Sequence, residues 1–183
     1  MKYSLLIAGA LALTATVSWA QDADDSHQAQ AGTRIGRVFI GDTKAAVGRR
    51  LGKPARTFTL GRGLTSQLWR SKTVGDQGAR NTLEVVYRSG IVTQIEVTSL
   101  VFQTPGGLSL SSTRDSWENT YGTPTASTYS YSHSRKRYID WKSKGIALEM
   151  VRGDEQGDDW VYQTLIVHKK GNSVVVDAGG TRE

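Results

Sequence analysis

The chain has 183 residues, with 23 Lys and Arg against 17 Asp and Glu, a net charge of +6 and no cysteine. That length suits one compact domain or two small fused units. The absence of cysteine excludes disulfides, thiolate nucleophiles, thiolate metal ligands and lipid attachment through an N-terminal Cys, so the fold must rely on its core.

Met1, Lys2 and Tyr3 lead into an apolar run over residues 4–13, and Ser18-Trp19-Ala20 then precedes the polar Gln21-Asp22. A charged start, a short apolar stretch and small residues three and one positions before a junction form a cleaved export signal. The apolar stretch, about 15 residues, is short for a membrane span, which takes about 20. Residues 1–20 are therefore expected to be a signal peptide cleaved after Ala20, and residues 21–33 a disordered leader. The product is expected in the periplasm or secreted, without a membrane span. Charge is uneven beyond this point: residues 33–102 carry 12 basic and 4 acidic side chains, residues 103–170 carry 9 and 8. A basic first half suits an acidic protein partner or an anionic surface polymer, and export carries the chain away from nucleic acid.

Residues 36–54 recur as residues 106–124, with Gly36, Thr43, Gly52 and Pro54 returning unchanged 70 positions later. Thr43 and Thr113 stand where a helix N-cap belongs. Val47 and Leu51, like Trp117 and Tyr121, are four apart and share one helical face. Gly52 and Gly122 supply a left-handed stop, and Pro54 and Pro124 prevent resumption. Each block predicts a complete short helix. After each proline come β-branched and aromatic runs, at 57–60, 66–70, 82–88 and 91–100, then at 127–132, 137–141, 146–151 and 160–168. Gly61-Arg62-Gly63, Arg88-Ser89-Gly90 and residues 153–159 supply turns.

The expected fold class is α+β: a tandem repeat of a short helical segment plus a four-stranded antiparallel sheet, over residues 34–102 and 103–170. The sequence leaves open whether the two sheets merge into one curved sheet with helices on one face. Residues 171–183 are expected to form an edge strand, over 173–176, and a tail.

Gly41-Asp42-Thr43-Lys44-Ala45-Ala46-Val47, followed by Leu51-Gly52-Lys53-Pro54, a strand tryptophan and a hydrophobic strand, resembles the motif shared by the outer-membrane assembly factor BamE (SmpA/OmlA) family and the β-lactamase inhibitor protein family. The similarity covers about residues 34–168. Two tandem copies look more like the inhibitor, and that resemblance implies sheets joined into one saddle that grips a partner on its concave face.

No catalytic constellation is legible. His27, His133 and His168 have no metal-binding spacing. Asp154, Glu155, Asp158 and Asp159 lack the ligand order of a calcium loop. There is no Gly-x-Ser-x-Gly elbow, and Gly61-x-Gly63 is too short for a dinucleotide fingerprint. Neither metal nor cofactor is expected, and the chain is read as a non-enzyme.

Binding residues are better supplied. Alternation places Ile91, Ile95 and Val97 toward the helix and Val92, Gln94, Glu96 and Thr98 away from it. The same parity turns Tyr162, Thr164, Ile166 and His168 outward. Tyr129, Tyr131, Tyr138, Trp141, Arg135 and Lys136 lie on nearby strands and turns, and Tyr, Trp and Arg are the side chains that protein interfaces favour. These ten residues form the expected partner-binding face. The expected function is that of a monomeric exported inhibitor or immunity protein, which occludes an acidic periplasmic toxin or hydrolase through its sheet face. An accessory of envelope assembly and an anionic-glycan module are the alternatives.

Overall fold

The structure, a computed structural model, describes residues 25–74, 80–129, 135–152 and 160–176. A 3-10 turn at Asp25–His27 leads into β1 (Ala29–Gln30), β2 (Arg34–Ile35) and β3 (Val38–Phe39), then α1 (Lys44–Leu51), β4 (Arg56–Gly61), β5 (Leu64–Val74), β6 (Arg80–Arg88) and β7 (Ile91–Val97). There follow α2 (Arg114–Tyr121), β8 (Ala126–Tyr129), β9 (Lys136–Trp141), β10 (Ile146–Arg152) and β11 (Trp160–His168).

Both helices begin and end where their caps place them. Thr43 Oγ1 accepts the Ala46 N–H at 3.2 Å and Thr113 Oγ1 accepts the Ser116 N–H at 3.3 Å, each satisfying a free donor of the first turn. Gly52 and Gly122 close the helices at positive φ, 75° and 84°, where a Cβ is disfavoured. Eight residues make too short a helix to persist alone in water, so each depends on one buried anchor, Val47 in α1 and Trp117 in α2. Burying such a side chain contributes about 1.5–3 kcal/mol. An indole also pins each helix end: Trp69 Nε1 donates to the Gly52 carbonyl at 3.2 Å and Trp141 Nε1 to the Gly122 carbonyl at 2.6 Å.

The α+β tandem of self-contained helix-plus-four-strand units is not what forms. The described residues are mostly β, with two short helices. Eight strands make one antiparallel sheet in the order β4-β5-β6-β7-β11-β10-β9-β8, and β1, β2 and β3 make a second, three-stranded sheet. The reason is the seam: β7 pairs with β11, Leu165 opposite Val97 and Val167 opposite Ile95, so no edge separates the halves. One core runs across that seam, from Val47, Val85, Ile95 and Val97 to Trp117, Ile139, Leu148 and Leu165. The small sheet adds Ala29, Ile35 and Val38 to the same core. Residues 25–33, expected in a disordered leader, are thus built into the structure, and Ala29 N–H donates to the Gln103 carbonyl at 2.7 Å.

Two register slips change which way side chains face. Between β6 and β7, Val86 pairs with Gln94 and Tyr87 with Val92, which leaves Thr93 over. Between β10 and β11, Glu149 pairs with Thr164 and Met150 with Tyr162, which leaves Gln163 over. An extra residue reverses parity along the rest of a strand. Val92 is therefore in the core and Ile91 is 41% exposed, the reverse of the alternation expected from sequence.

The sheet face away from the helices is also covered. Tyr138, Ala147 and Ile166 are buried there, with Val174 and Val176 packed against them. Residues 173–176, expected as an edge strand, are not in a strand and lie across this face instead.

Candidate functional site

On the helix side, the end of the sheet formed by β8 to β11 carries an aromatic and basic cluster. Register sets its first row: Tyr129 opposes Arg137, Arg137 opposes Met150, and Met150 opposes Tyr162. The next row pairs Arg152 with Trp160. The Arg137 guanidinium lies 5.7 Å from the Tyr129 ring centroid, within range of a cation–π attraction. Its Nε donates to Ser127 Oγ at 2.6 Å, which fixes the fork over the ring. Trp160 also approaches Tyr129, with ring centroids 6.3 Å apart and planes at 59°. Tyr129 remains 54% exposed.

Beside this cluster lies an open cavity of about 620 Å³, lined by Leu110, Ser112, Arg114, Met150, Trp160 and Tyr162 among others. Arg114 borders it at the start of α2, where its Nε donates to Glu118 at 2.6 Å. The Tyr162 phenol is pushed above its ordinary value by burial, with the Arg114 cation opposing and the Glu118 and Asp115 carboxylates adding to the rise. It therefore keeps its proton at neutral pH and can donate a hydrogen bond. Rigid aromatic rings with polar handles, a stacked Arg and an adjoining concavity are the ingredients of an interface anchor.

The expected partner-binding residues divide sharply. Tyr129 and Arg135 are exposed, and Tyr162 is half-buried on the helix side. Tyr131 lies outside the described residues. Lys136 is half-buried and pairs with Glu149 at 3.3 Å. Tyr138, Trp141, Thr164, Ile166 and His168 are all buried, which corrects their assignment to an open face. Trp141 faces the helices, where it stacks on Trp117 with centroids 6.1 Å apart. The other four face away from the helices. Gln163 is the reason Tyr162 does not share a face with Thr164, Ile166 and His168.

Those buried polar side chains satisfy one another. Glu149 accepts from the Tyr138 hydroxyl at 2.7 Å, from Thr164 at 3.3 Å and from Lys136. His168 Nε2 lies 2.9 Å from Asp140 Oδ1, and its Nδ1 lies 3.1 Å from the Lys169 carbonyl. Hydrogen bonding is what makes burial of such groups tolerable, and the network reads as structural. Among the described residues no three His, Asp or Glu side chains are grouped to hold a metal ion.

Sequence reasoning did not place Trp160, Arg114 or Arg137 among the binding residues. Trp160 stands two residues before Tyr162, so strand alternation alone pairs them on one face. Arg114 reaches the cluster only through the packing of α2, which no local pattern encodes.

No protein-family model matches the chain, and no curated protein matches it. Among solved structures it is similar to the uncharacterized protein YfeY from Escherichia coli, 13% identical, over 78% of this chain and 98% of that one, with a TM-score of 0.44. It is also similar to a cysteine-rich secretory protein (SAV1118) from Staphylococcus aureus, 12% identical, over 79% of this chain, with a TM-score of 0.41. This chain spans 51% of the staphylococcal one. Neither likeness is close enough to bear on function.

Proposed function

We propose that this chain is an exported, non-enzymatic protein-binding protein of the periplasm, an inhibitor or immunity protein that occludes a toxin or hydrolase. Its contact surface is the helix-side end of β8 to β11, not the opposite sheet face. The observation that carries this reading is the cluster of Tyr129, Arg137 and Trp160, held by cation–π and ring contacts beside an open cavity. Export is supported by the charged, apolar and small-residue pattern of residues 1–20. No helix among the described residues is long and apolar enough to cross a membrane. Arg114, Arg137 and Arg152 around the cluster favour an acidic partner, whose approach they speed.

The test is a pull-down from envelope extract with the mature chain and with a Tyr129→Ala, Arg137→Ala variant. The parent is expected to retain a discrete acidic protein, and the variant to lose it by about 30-fold or more in affinity, the scale of a single anchor worth about 2 kcal/mol when truncated. Equal capture by both, or hydrolysis of a cell-wall substrate by the parent chain, contradicts the proposal.

A further inference from the structure

We infer that the sheet face opposite the helices is a docking site for an extended polypeptide segment with β-branched side chains two residues apart, and that residues 173–176 occupy it in cis. The recognition is directed at backbone. Gln94 Oε1 accepts the Val175 N–H at 2.7 Å while Gln94 Nε2 donates to the Val175 carbonyl at 2.9 Å, so one side-chain amide reads both polar groups of a single residue, as a neighbouring strand would. Its second N–H donates to Glu96 Oε1 at 2.6 Å, which fixes the orientation of the amide. Asp140 Oδ2 accepts the Val174 N–H at 3.1 Å, and its other oxygen is held by His168. Val174 and Val176, two residues apart and so on one side of an extended chain, pack on Tyr138, Ala147 and Ile166.

Gln94 and Asp140 are each preorganised by a partner within the sheet, which is how a binding site differs from an incidental contact. The occupant, by contrast, is lightly held. Residues 174–176 are only half-buried and belong to no strand, and three bonds to Gln94 and Asp140 tie their backbone to the face. Backbone-directed bonds tolerate many side chains, and the apolar patch asks only for small branched ones, so an extended segment of a partner protein can replace the cis segment. The cis segment then acts as a competitor that lowers apparent affinity by the fraction of time it is docked.

The experiment uses the full chain carrying Val174→Glu and Val176→Glu, which removes the apolar anchors of the cis segment, and a fluorescent synthetic peptide of the sequence Ser-Val-Val-Val-Asp. The doubly substituted chain is expected to bind the peptide at least tenfold more tightly than the parent. Adding Gln94→Ala is expected to weaken that binding tenfold or more. Equal binding by parent and variant, no binding by a variant with native near-UV circular dichroism, or indifference to Gln94→Ala overturns the inference. Should the variant not fold, hydrogen exchange on the parent decides: the Val174 and Val175 amides are expected to exchange at least 100-fold faster than those of Leu148 and Leu165, through local release of the segment. Equal protection overturns the inference. None of these substitutions touches Tyr129, Arg137 or Trp160, so failure here is separable from failure of the proposed function.

Discussion

Trp117 and Trp141 are both fully buried and stacked, yet their indole nitrogens fare differently. Trp141 Nε1 donates to the Gly122 carbonyl, whereas Trp117 Nε1 has no partner among the described residues. Replacing either by Phe removes comparable volume, but only Trp117→Phe also removes an unpaired buried donor, which costs about 1–3 kcal/mol where it stands. Trp141→Phe is therefore expected to destabilise the chain by at least about 1 kcal/mol more than Trp117→Phe, as urea unfolding will measure. Tyr87 gives a pH-dependent counterpart. Burial, then the Asp42 carboxylate, pushes its phenol well above its ordinary value, and its hydroxyl donates to Gln67 at 3.0 Å. The folded state thus holds the proton after the unfolded chain has lost it. The stability this contributes is fully present below about pH 10, the ordinary tyrosine value, and declines as pH rises beyond it. Tyr87→Phe is expected to cost about 1–2 kcal/mol at neutral pH and to flatten the alkaline fall in stability. An unchanged alkaline slope contradicts the assignment.

At the scale of elements, helix caps were legible because each rests on a few adjacent residues: Thr43 and Thr113 start helices and Gly52 and Gly122 stop them by local backbone chemistry. The positions of β4 to β11 were legible for the same reason, whereas β1, β2 and β3, two residues each, were not. Strand faces were not, because Thr93 and Gln163 are ordinary strand residues that nothing local marks as unpaired, and one such residue reverses every side chain beyond it. Turns carry a similar distinction. Gly52 sits at φ 75° with open space within 4 Å of where a Cβ would stand, whereas a Cβ on Gly145, at φ 74°, would collide with the His168 carbonyl oxygen and fall 2.7 Å from Gly32 Cα. The Gly145 carbonyl also accepts the N–H groups of Gly32 and His168, and so ties the small sheet to β11. Gly52→Ala is expected to cost about 1–3 kcal/mol from backbone strain alone, since φ 75° with ψ −158° is a conformation open essentially to glycine. Gly145→Ala is expected to cost about 3 kcal/mol or more, since main chain must move. Equal denaturation midpoints for the two variants contradict the close approach.

For the whole molecule, the recurrence 70 positions apart was visible in the sequence, but its consequence was not. Pairing of β7 with β11 turns eight strands into one sheet over one core, and a seam of that kind depends on contacts between residues far apart in the chain. The same holds for the opposite face. Its residues Thr164 and His168 read as solvent-facing until residues 173–176 are laid over part of this face. What survives of the expected binding face is Tyr129, Arg135 and Tyr162, joined by Trp160, Arg137 and Arg114. The central claim is that this end of the sheet meets a partner protein. It is tested most directly by placing a photo-crosslinking residue at position 129 and, separately, at position 59, where Thr59 is exposed on β4, and irradiating cells that produce each variant. The account predicts one discrete protein adduct from position 129 and none of that mass from position 59. No adduct from position 129, or the same adducts from both, contradicts it.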